Sequence, residues 1–108
     1  MKQERIIAKK LREVTNSMSL YTFIFLYQGG TFISQNEAND LYAACTTWVT
    51  KLDYNVLKMN ANLIKKLKKE LRQETPSSID GLINSWFVGL DLGEDFGYLN
   101  IIKTEKKI

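Results

Sequence analysis

The sequence predicts an α+β fold in which two hairpins form one four-stranded antiparallel sheet, with helices packed on one of its faces. Two stretches rich in aromatic and β-branched residues are each interrupted by turn-forming residues, as in a β-hairpin. Apolar residues recur at helical spacing between these stretches and ahead of the first one. The predicted element order is α-ββ-α-α-ββ. A length of 108 residues suits a single domain, residues 1–108, with its own core.

The N-terminal segment predicts a helix over residues 2–14. Its apolar residues share one helical face: Ile6, Ile7, Leu11 and Val14. We interpret residues 1–17 as a helix appended to the minimal fold.

The first hairpin follows this segment. Residues 20–27 are aromatic and β-branched, which favours a half-buried strand. Gln28-Gly29-Gly30 then predicts a tight turn, because glycine tolerates the positive φ angles of hairpin turns. Residues 31–35 are predicted to return as the second strand.

The second predicted helix has the clearest apolar stripe in the chain. Its members are Ala38, Leu41, Tyr42, Cys45, Trp48, Val49 and Leu52. The spacing of Ser34 and Glu37 matches a capping box at its start, and Asn36 is a competing N-cap. The stripe places Trp48 in the core. It also predicts that Cys45 is a small buried apolar residue rather than a reactive thiol.

The third predicted helix begins between Val56 and Leu63 and ends before Pro76, which disfavours helical angles in the preceding residue. Its apolar stripe consists of Leu63, Ile64, Leu67 and Leu71. Its opposite face is basic and consists of Lys65, Lys66, Lys68, Lys69 and Arg72. Ser77, Ser78 and Asp80-Gly81 then predict a polar loop.

The second hairpin is predicted to contain residues 82–92, a turn at residues 93–95, and residues 97–104. Alternate residues face opposite sides of each strand: Trp86, Val88 and Leu90 against Phe87, and Tyr98 and Ile102 against Leu99 and Ile101. Neighbouring strands of one hairpin pair in antiparallel fashion.

The residue content excludes several kinds of catalytic site. The chain has no histidine and one cysteine, which rules out a histidine-dependent triad and a zinc finger. Asp91, Glu94 and Asp95 lie close in sequence but lack the spacing of a calcium loop, so we interpret them as a solvated hairpin tip. Gly29 and Gly30 are not followed by the Lys-Ser/Thr pair of a phosphate loop. We therefore expect no enzyme activity, no metal and no cofactor.

The cellular compartment is predicted from two features. The apolar run at residues 20–26 is far shorter than the roughly 20 residues that a membrane helix needs. A single cysteine cannot form an internal disulfide, which favours a reducing compartment. We expect a cytoplasmic protein with no membrane partner.

The charges are unevenly distributed along the chain. Neither residues 14–50 nor residues 74–102 contain any Lys or Arg, so every charged residue in these two regions is acidic. Such a layout favours a cation-rich partner, because complementary charge speeds encounter. The candidate partner-binding residues are the acids of these regions and two neighbouring aromatic residues: Asp91, Glu94, Asp95, Phe96, Tyr98, Glu37 and Asp40.

The first hairpin also carries a resemblance. The stretch Tyr27-Gln-Gly-Gly-Thr-Phe-Ile-Ser-Gln35, with Ala38, Trp48, Trp86 and the closing Asn100-Ile-Ile-Lys-Thr104, resembles small bacterial immunity proteins of polymorphic or contact-dependent toxin systems. It covers about residues 18–104, and its motifs are structural rather than catalytic. Residues 1–17 depart from it.

The resemblance implies a cytoplasmic protein that neutralises a cognate toxin by tight stoichiometric binding. A nuclease domain is the toxin class that these two acidic regions would suit, because nucleases need cationic surfaces to hold RNA or DNA. The alternative is a small nucleic-acid-binding module that uses the basic face of the third helix.

Overall fold

A computed structural model describes residues 18–105 of the chain. These residues form five strands and two helices: β1 (Ser19–Tyr27), β2 (Gly30–Ala38), α1 (Leu41–Lys51), α2 (Ala61–Gln73), β3 (Ser77–Ser78), β4 (Ser85–Asp91) and β5 (Phe96–Thr104). All neighbouring strands pair antiparallel, in the spatial order β2-β1-β5-β4-β3. The helix predicted at residues 2–14, and the whole appended segment 1–17, lie outside the described residues.

The prediction of a four-stranded sheet with three helices was wrong. The sheet has five strands, and residues 18–105 contain two helices. The additional strand is β3, in which Ser77 pairs with Phe87 and Ser78 with Trp86. Two serines carry no alternation of apolar and polar residues, so the sequence predicted a loop there. Backbone pairing to β4 forms this strand.

The predicted capping box was also wrong, because the first hairpin is longer than expected. β2 extends to Ala38, which pairs with Ser19, and it takes both Ser34 and Glu37 into the sheet. Helix α1 begins after Asp40, whose carboxylate Oδ1 accepts a hydrogen bond of 2.7 Å from the backbone N–H of Ala43. Pairing along all nine residues of β1 therefore outweighs the local helix-start signal.

The two strands of the first hairpin are joined by a two-residue turn. Gln28 and Gly29 both have positive φ angles, 49° and 75°, and Tyr27 pairs with Gly30. This is the geometry of a type I′ turn, which matches the natural twist of paired strands. The turn predicted from the glycines is confirmed.

The core lies between one face of the sheet and the two helices. Alternate residues of β1 point into it, and each is at most 3% exposed: Tyr21, Phe23, Phe25 and Tyr27. Trp48 of α1 is 2% exposed and packs on this row, which confirms its predicted core position. Leu67 of α2 is also fully buried in this core. Cys45 is buried, as predicted.

The second face of the sheet is covered by neither of the described helices. We call it the open face. Six large apolar residues on it are at least 38% exposed: Leu26, Ile33, Phe87, Phe96, Tyr98 and Ile102. The alternation predicted for β4 and β5 is confirmed, since Val88, Leu99 and Ile101 are buried on the core side. β4 itself begins at Ser85 rather than at residue 82, because Asn84 takes a positive φ of 57° just before it.

Candidate functional site

The turn between β4 and β5 is organised by its own acidic residues. The backbone N–H of Leu92 donates to the carbonyl of Asp95 over 3.0 Å, which closes the loop. The Asp91 carboxylate accepts from the N–H of Gly93 over 3.0 Å. Gly93 has a φ of 93°, a conformation that side chains rarely allow. Asp91 therefore stabilises the turn as well as contributing a negative charge to its surface.

The two hairpin turns meet at one end of the sheet, because β1 and β5 are antiparallel neighbours. The side-chain amide of Gln28 donates a hydrogen bond of 2.8 Å to Oδ2 of Asp95. These residues are 67 positions apart in sequence. The β1–β2 turn, which contains Gly29, and the β4–β5 turn, which contains Glu94, thus lie side by side and form one continuous edge at this end of the sheet.

Three aromatic rings lie next to this edge on the open face. Tyr98 packs against Phe87 with ring centroids 6.1 Å apart, and against Phe96 with centroids 5.4 Å apart. The rings are 38%, 45% and 48% exposed for Phe87, Tyr98 and Phe96. We call these three residues the aromatic cluster. Its rings present a pre-assembled apolar surface to solvent.

Gly89 makes the close packing of this cluster possible. A Cβ atom at position 89 would lie 2.8 Å from the ring of Phe96. Any larger residue would push that ring away from the strand. Phe96 in turn covers the backbone of Gly89, an arrangement that compensates for the missing side chain in a strand.

The structure brings five of the seven predicted site residues together. Asp91, Glu94 and Asp95 lie in or beside the turn, and Phe96 and Tyr98 follow it in β5.

The other two lie at the opposite end of the sheet. Glu37 pairs with Leu20, whereas the turn end of β1 is at Leu26. Six residues of extended strand separate these rows by about 20 Å. Asp40 is committed to the N-cap of α1. Glu37 and Asp40 therefore belong to a different part of the surface.

On the helix side of the β4–β5 turn the side chains carry charges of both signs, whereas on the open face the strands carry only acidic charges. Lys58 and Lys66 line a shallow hollow together with Glu94 and Asp95. Within residues 18–105, however, no ion pair joins a basic side chain to these carboxylates. No Lys or Arg of the strands projects onto the open face, since Lys103 lies in the register of the core-facing residues.

Helix α2 also supports the turn directly. The Glu70 carboxylate accepts a hydrogen bond of 3.1 Å from the backbone N–H of Asp91. Burial raises the pKa of the Tyr27 hydroxyl, and the nearby carboxylate of Asp95 raises it further. The turn is therefore held from both sides, by Gln28 and by Glu70.

Metal-ligand and thiol chemistry can be assessed in the described residues. Residues 18–105 contain no group of three or more His, Cys, Asp or Glu side chains arranged to hold a metal ion. Burial raises the pKa of the Cys45 thiol to about 11, which disfavours the nucleophilic thiolate. Neither helix in this part of the chain has the length and apolar character needed to span a membrane.

Sequence reasoning missed two features of the surface. Phe87 was predicted to face away from Trp86, but nothing in the sequence showed that its ring would meet Tyr98 from β5. The second is a groove of about 420 Å³ beside β2, lined on one side by Phe32 and on the other by Leu52 and Val56. Both features depend on contacts between elements far apart in sequence.

No protein-family model, curated protein or solved structure matched the chain in the comparisons.

Proposed function

We propose that the chain is an immunity protein that neutralises a cognate bacterial toxin in the cytoplasm by stoichiometric binding, without catalysis. The observation that carries this proposal is the aromatic cluster, exposed on the open face directly beside Asp91, Glu94 and Asp95. Exposed aromatic residues grouped beside charged groups are typical of the residues that dominate protein interfaces. The resemblance of the first hairpin to immunity proteins supports the same conclusion.

The chemistry of this surface favours a cationic partner. A nuclease toxin must hold a polyanion, so its active-site region carries Lys and Arg. Carboxylates at the β4–β5 turn would steer that surface into contact, and the aromatic cluster would then bury apolar area. Lys58 and Lys66 lie on the helix side of the turn, so we expect the toxin to approach from the open face.

The test begins with the gene next to the one that encodes this chain. If that gene encodes a large secreted protein, its C-terminal region is expressed as the candidate toxin. We expect co-expression of the full chain to restore growth, and the purified proteins to form a one-to-one complex by light scattering. A toxic C-terminal region that the chain neither binds nor counteracts would contradict the proposal.

A second candidate function rests on α2. Its basic residues are all exposed: Lys65, Lys66, Lys68, Lys69 and Arg72. An exposed strip of this kind can contact nucleic-acid phosphates.

A further inference from the structure

The open face carries a second group of apolar residues besides the aromatic cluster. Ile33 of β2 is 65% exposed, and Ile102 of β5 is 39% exposed. Leu20 and Ile24 of β1 lie between them on the same face and are half-buried. We call these four residues the apolar patch. A sheet face that carries apolar residues in a small domain is normally packed against another layer of secondary structure.

Two segments of the chain lie outside the described residues, and their lengths distinguish them as sources of such a layer. Residues 106–108 follow β5, which ends opposite Leu20, and three residues extend only about 10 Å. Ile24 lies about 13 Å farther along β1, so these residues cannot span the patch. Residues 1–17 lead into β1 at the same end of the sheet. The helix predicted within them would be about 20 Å long, which is enough to span the patch.

We propose that residues 1–17 cover the apolar patch, with the helix predicted over residues 2–14 lying antiparallel to β1. The apolar stripe of this helix runs from Ile6 to Val14 and spans about 12 Å. That length matches the roughly 13 Å that the patch covers along β1. The few residues between the stripe and β1 suffice for the short connection that such packing needs. The sheet then lies between two helical layers.

The charge of the segment complements the surface that it covers. Residues 1–17 contain five basic and two acidic residues, which gives a net side-chain charge of +3. Within residues 18–105, the strands present only acidic charges on the open face. Opposite charges therefore attract the segment to this face. Lys10 lies within the stripe, and its long side chain can cover apolar surface while its ammonium group stays in water.

The covalent connection to β1 favours this segment over a second copy of the chain. Val14 and the first residue of β1, Ser19, are only five positions apart. A short tether of this kind holds a segment near its site at an effective concentration in the millimolar range. A separate chain would have to reach that concentration in solution to compete.

The stripe ends before two rings of the aromatic cluster. Tyr98 pairs with Leu26, beyond Ile24 on the side of the β4–β5 turn, and Phe96 lies farther still. The proposed contact therefore leaves both rings available, and it does not depend on whether the chain binds a toxin.

The test uses the full chain with one nitroxide spin label, introduced through Lys9→Cys in a Cys45→Ala background. Lys9 lies outside the stripe of the predicted helix, so the label leaves the proposed contact intact. NMR of isoleucine methyl groups compares signals with the label oxidised and reduced. We expect the three isoleucines of the apolar patch to lose most of their intensity while the label is oxidised. Ile64 of α2, which packs on the other side of the sheet, should retain its intensity.

Two substitutions in the spin-labelled chain and one mixed sample identify the contact. Ile7→Lys places a charge in the stripe and should abolish the loss of intensity. Ala8→Lys is the matched control, because it adds the same charge at the neighbouring position outside the stripe, so the loss should persist. Leu11→Lys replaces Ile7→Lys if that variant folds poorly. The mixed sample combines spin-labelled chains without isotope and isotope-labelled chains without spin label, and it detects contacts between copies.

The proposal requires the isoleucines of the apolar patch to lose intensity within one chain, and this loss to disappear in the stripe variant but not in Ala8→Lys. Unchanged intensities at the patch in the spin-labelled chain overturn it, because the segment then lies elsewhere. An equal loss in the mixed sample overturns it as well, since a second copy would then be the occupant. A loss that persists in the stripe variant, or disappears in both variants, shows that the stripe does not make the contact and also overturns it.

Discussion

At the scale of single residues, Trp48 joins the sheet to helix α1. Its ring stacks on Phe23 with centroids 5.7 Å apart and planes 14° apart. It meets Phe25 edge-on, with centroids 5.2 Å apart and an interplanar angle of 78°. Its indole N–H is buried and has no hydrogen-bond partner among the described residues. Packing, rather than hydrogen bonding, therefore makes the stabilising contribution of this side chain.

We predict that Trp48→Ala lowers the free energy of unfolding by about 3–5 kcal/mol, because it leaves a large cavity under β1. Urea denaturation followed by circular dichroism measures this change. Trp48→Phe is the matched control. It should retain more of the stability, since it keeps a ring against Phe23 and removes the unpaired N–H. An Ala variant with an unchanged transition midpoint would contradict the core position of Trp48.

Cys45 should be unreactive in the folded protein and should make stability depend on alkaline pH. Burial raises its pKa from 9.0 to about 11, so the unfolded chain loses the thiol proton first as the pH rises. The free energy of unfolding is then unaffected below pH 9 and falls between pH 9 and about 11, by up to roughly 2 kcal/mol. Burial raises the pKa of Tyr21 and Tyr54 in the same direction.

Two measurements check this prediction. A disulfide reagent should modify wild-type Cys45 no faster than the chain unfolds. Urea denaturation across the alkaline range should give a shallower loss of stability for Cys45→Ala than for the wild type. Rapid modification of the native protein, or an equal pH dependence in both chains, would show that the thiol is accessible or ionises normally.

At the scale of elements, α2 has two faces with different roles. Leu67 is fully buried, and Leu63, Ile64 and Leu71 pack against the core around it. The basic residues project to solvent on the other side. A basic helix face often serves only to keep the helix solvated, so its function has to be tested directly.

We predict that α2 binds nucleic acid only weakly and without sequence preference at physiological salt. Fluorescence anisotropy with labelled single-stranded and duplex oligonucleotides measures the affinity over a range of salt concentrations. Weak contacts with phosphates should disappear steeply as salt rises. Sub-micromolar binding at physiological salt that is lost when Lys65, Lys69 and Arg72 become Glu would favour the nucleic-acid function instead. Glu reversals at Lys51 and Lys103, outside α2, provide the charge control.

The sequence predicted those elements whose apolar residues are periodic. The alternation in β4 and β5 and the stripe of α2 gave their buried faces correctly, because burial itself selects that pattern. Prediction from the sequence failed for β3 and for the end of β2. Ser77 and Ser78 form a strand only through their partners in β4, and residues 34–37 fit a helix start until β1 pairs with them. Local signals cannot reveal such distant pairing.

At the scale of the whole molecule, strand order decides which sequence features become neighbours. Because β5 lies between β1 and β4, the turn at Gln28 meets the turn at Asp95, and the aromatic cluster forms beside them. A predicted pair of hairpins does not specify this order, since either strand of one hairpin can pair with either strand of the other. The sequence could therefore indicate Asp91, Glu94 and Asp95 but not the surface that they share with Phe87.

Variants at the β4–β5 turn test whether this surface binds the proposed toxin. Changing Asp91, Glu94 and Asp95 to Lys should alter stability modestly, because exposed charges contribute little. Asp91 is the exception, because its carboxylate accepts a hydrogen bond from the N–H of Gly93. Asp91→Asn combined with Glu94→Lys and Asp95→Lys therefore disturbs the turn less. Surface plasmon resonance should show association slowed at least tenfold and less dependent on salt, and cells should become sensitive to the toxin.

The matched control combines Glu74→Gln with Asp80→Lys and Glu105→Lys, at exposed acids far from the turn, and so changes the net charge as much as the variant with Asp91→Asn does. We expect this control to protect cells as well as the wild type does. Phe96→Ala should instead speed dissociation, because an aromatic anchor acts after encounter whereas charge acts before it. If the variant at Asp91, Glu94 and Asp95 and its control slow association equally, net charge alone steers the encounter. If the variant at the turn protects cells fully and binds with unchanged kinetics, the toxin binds elsewhere, and the open face near Glu37 becomes the surface to test.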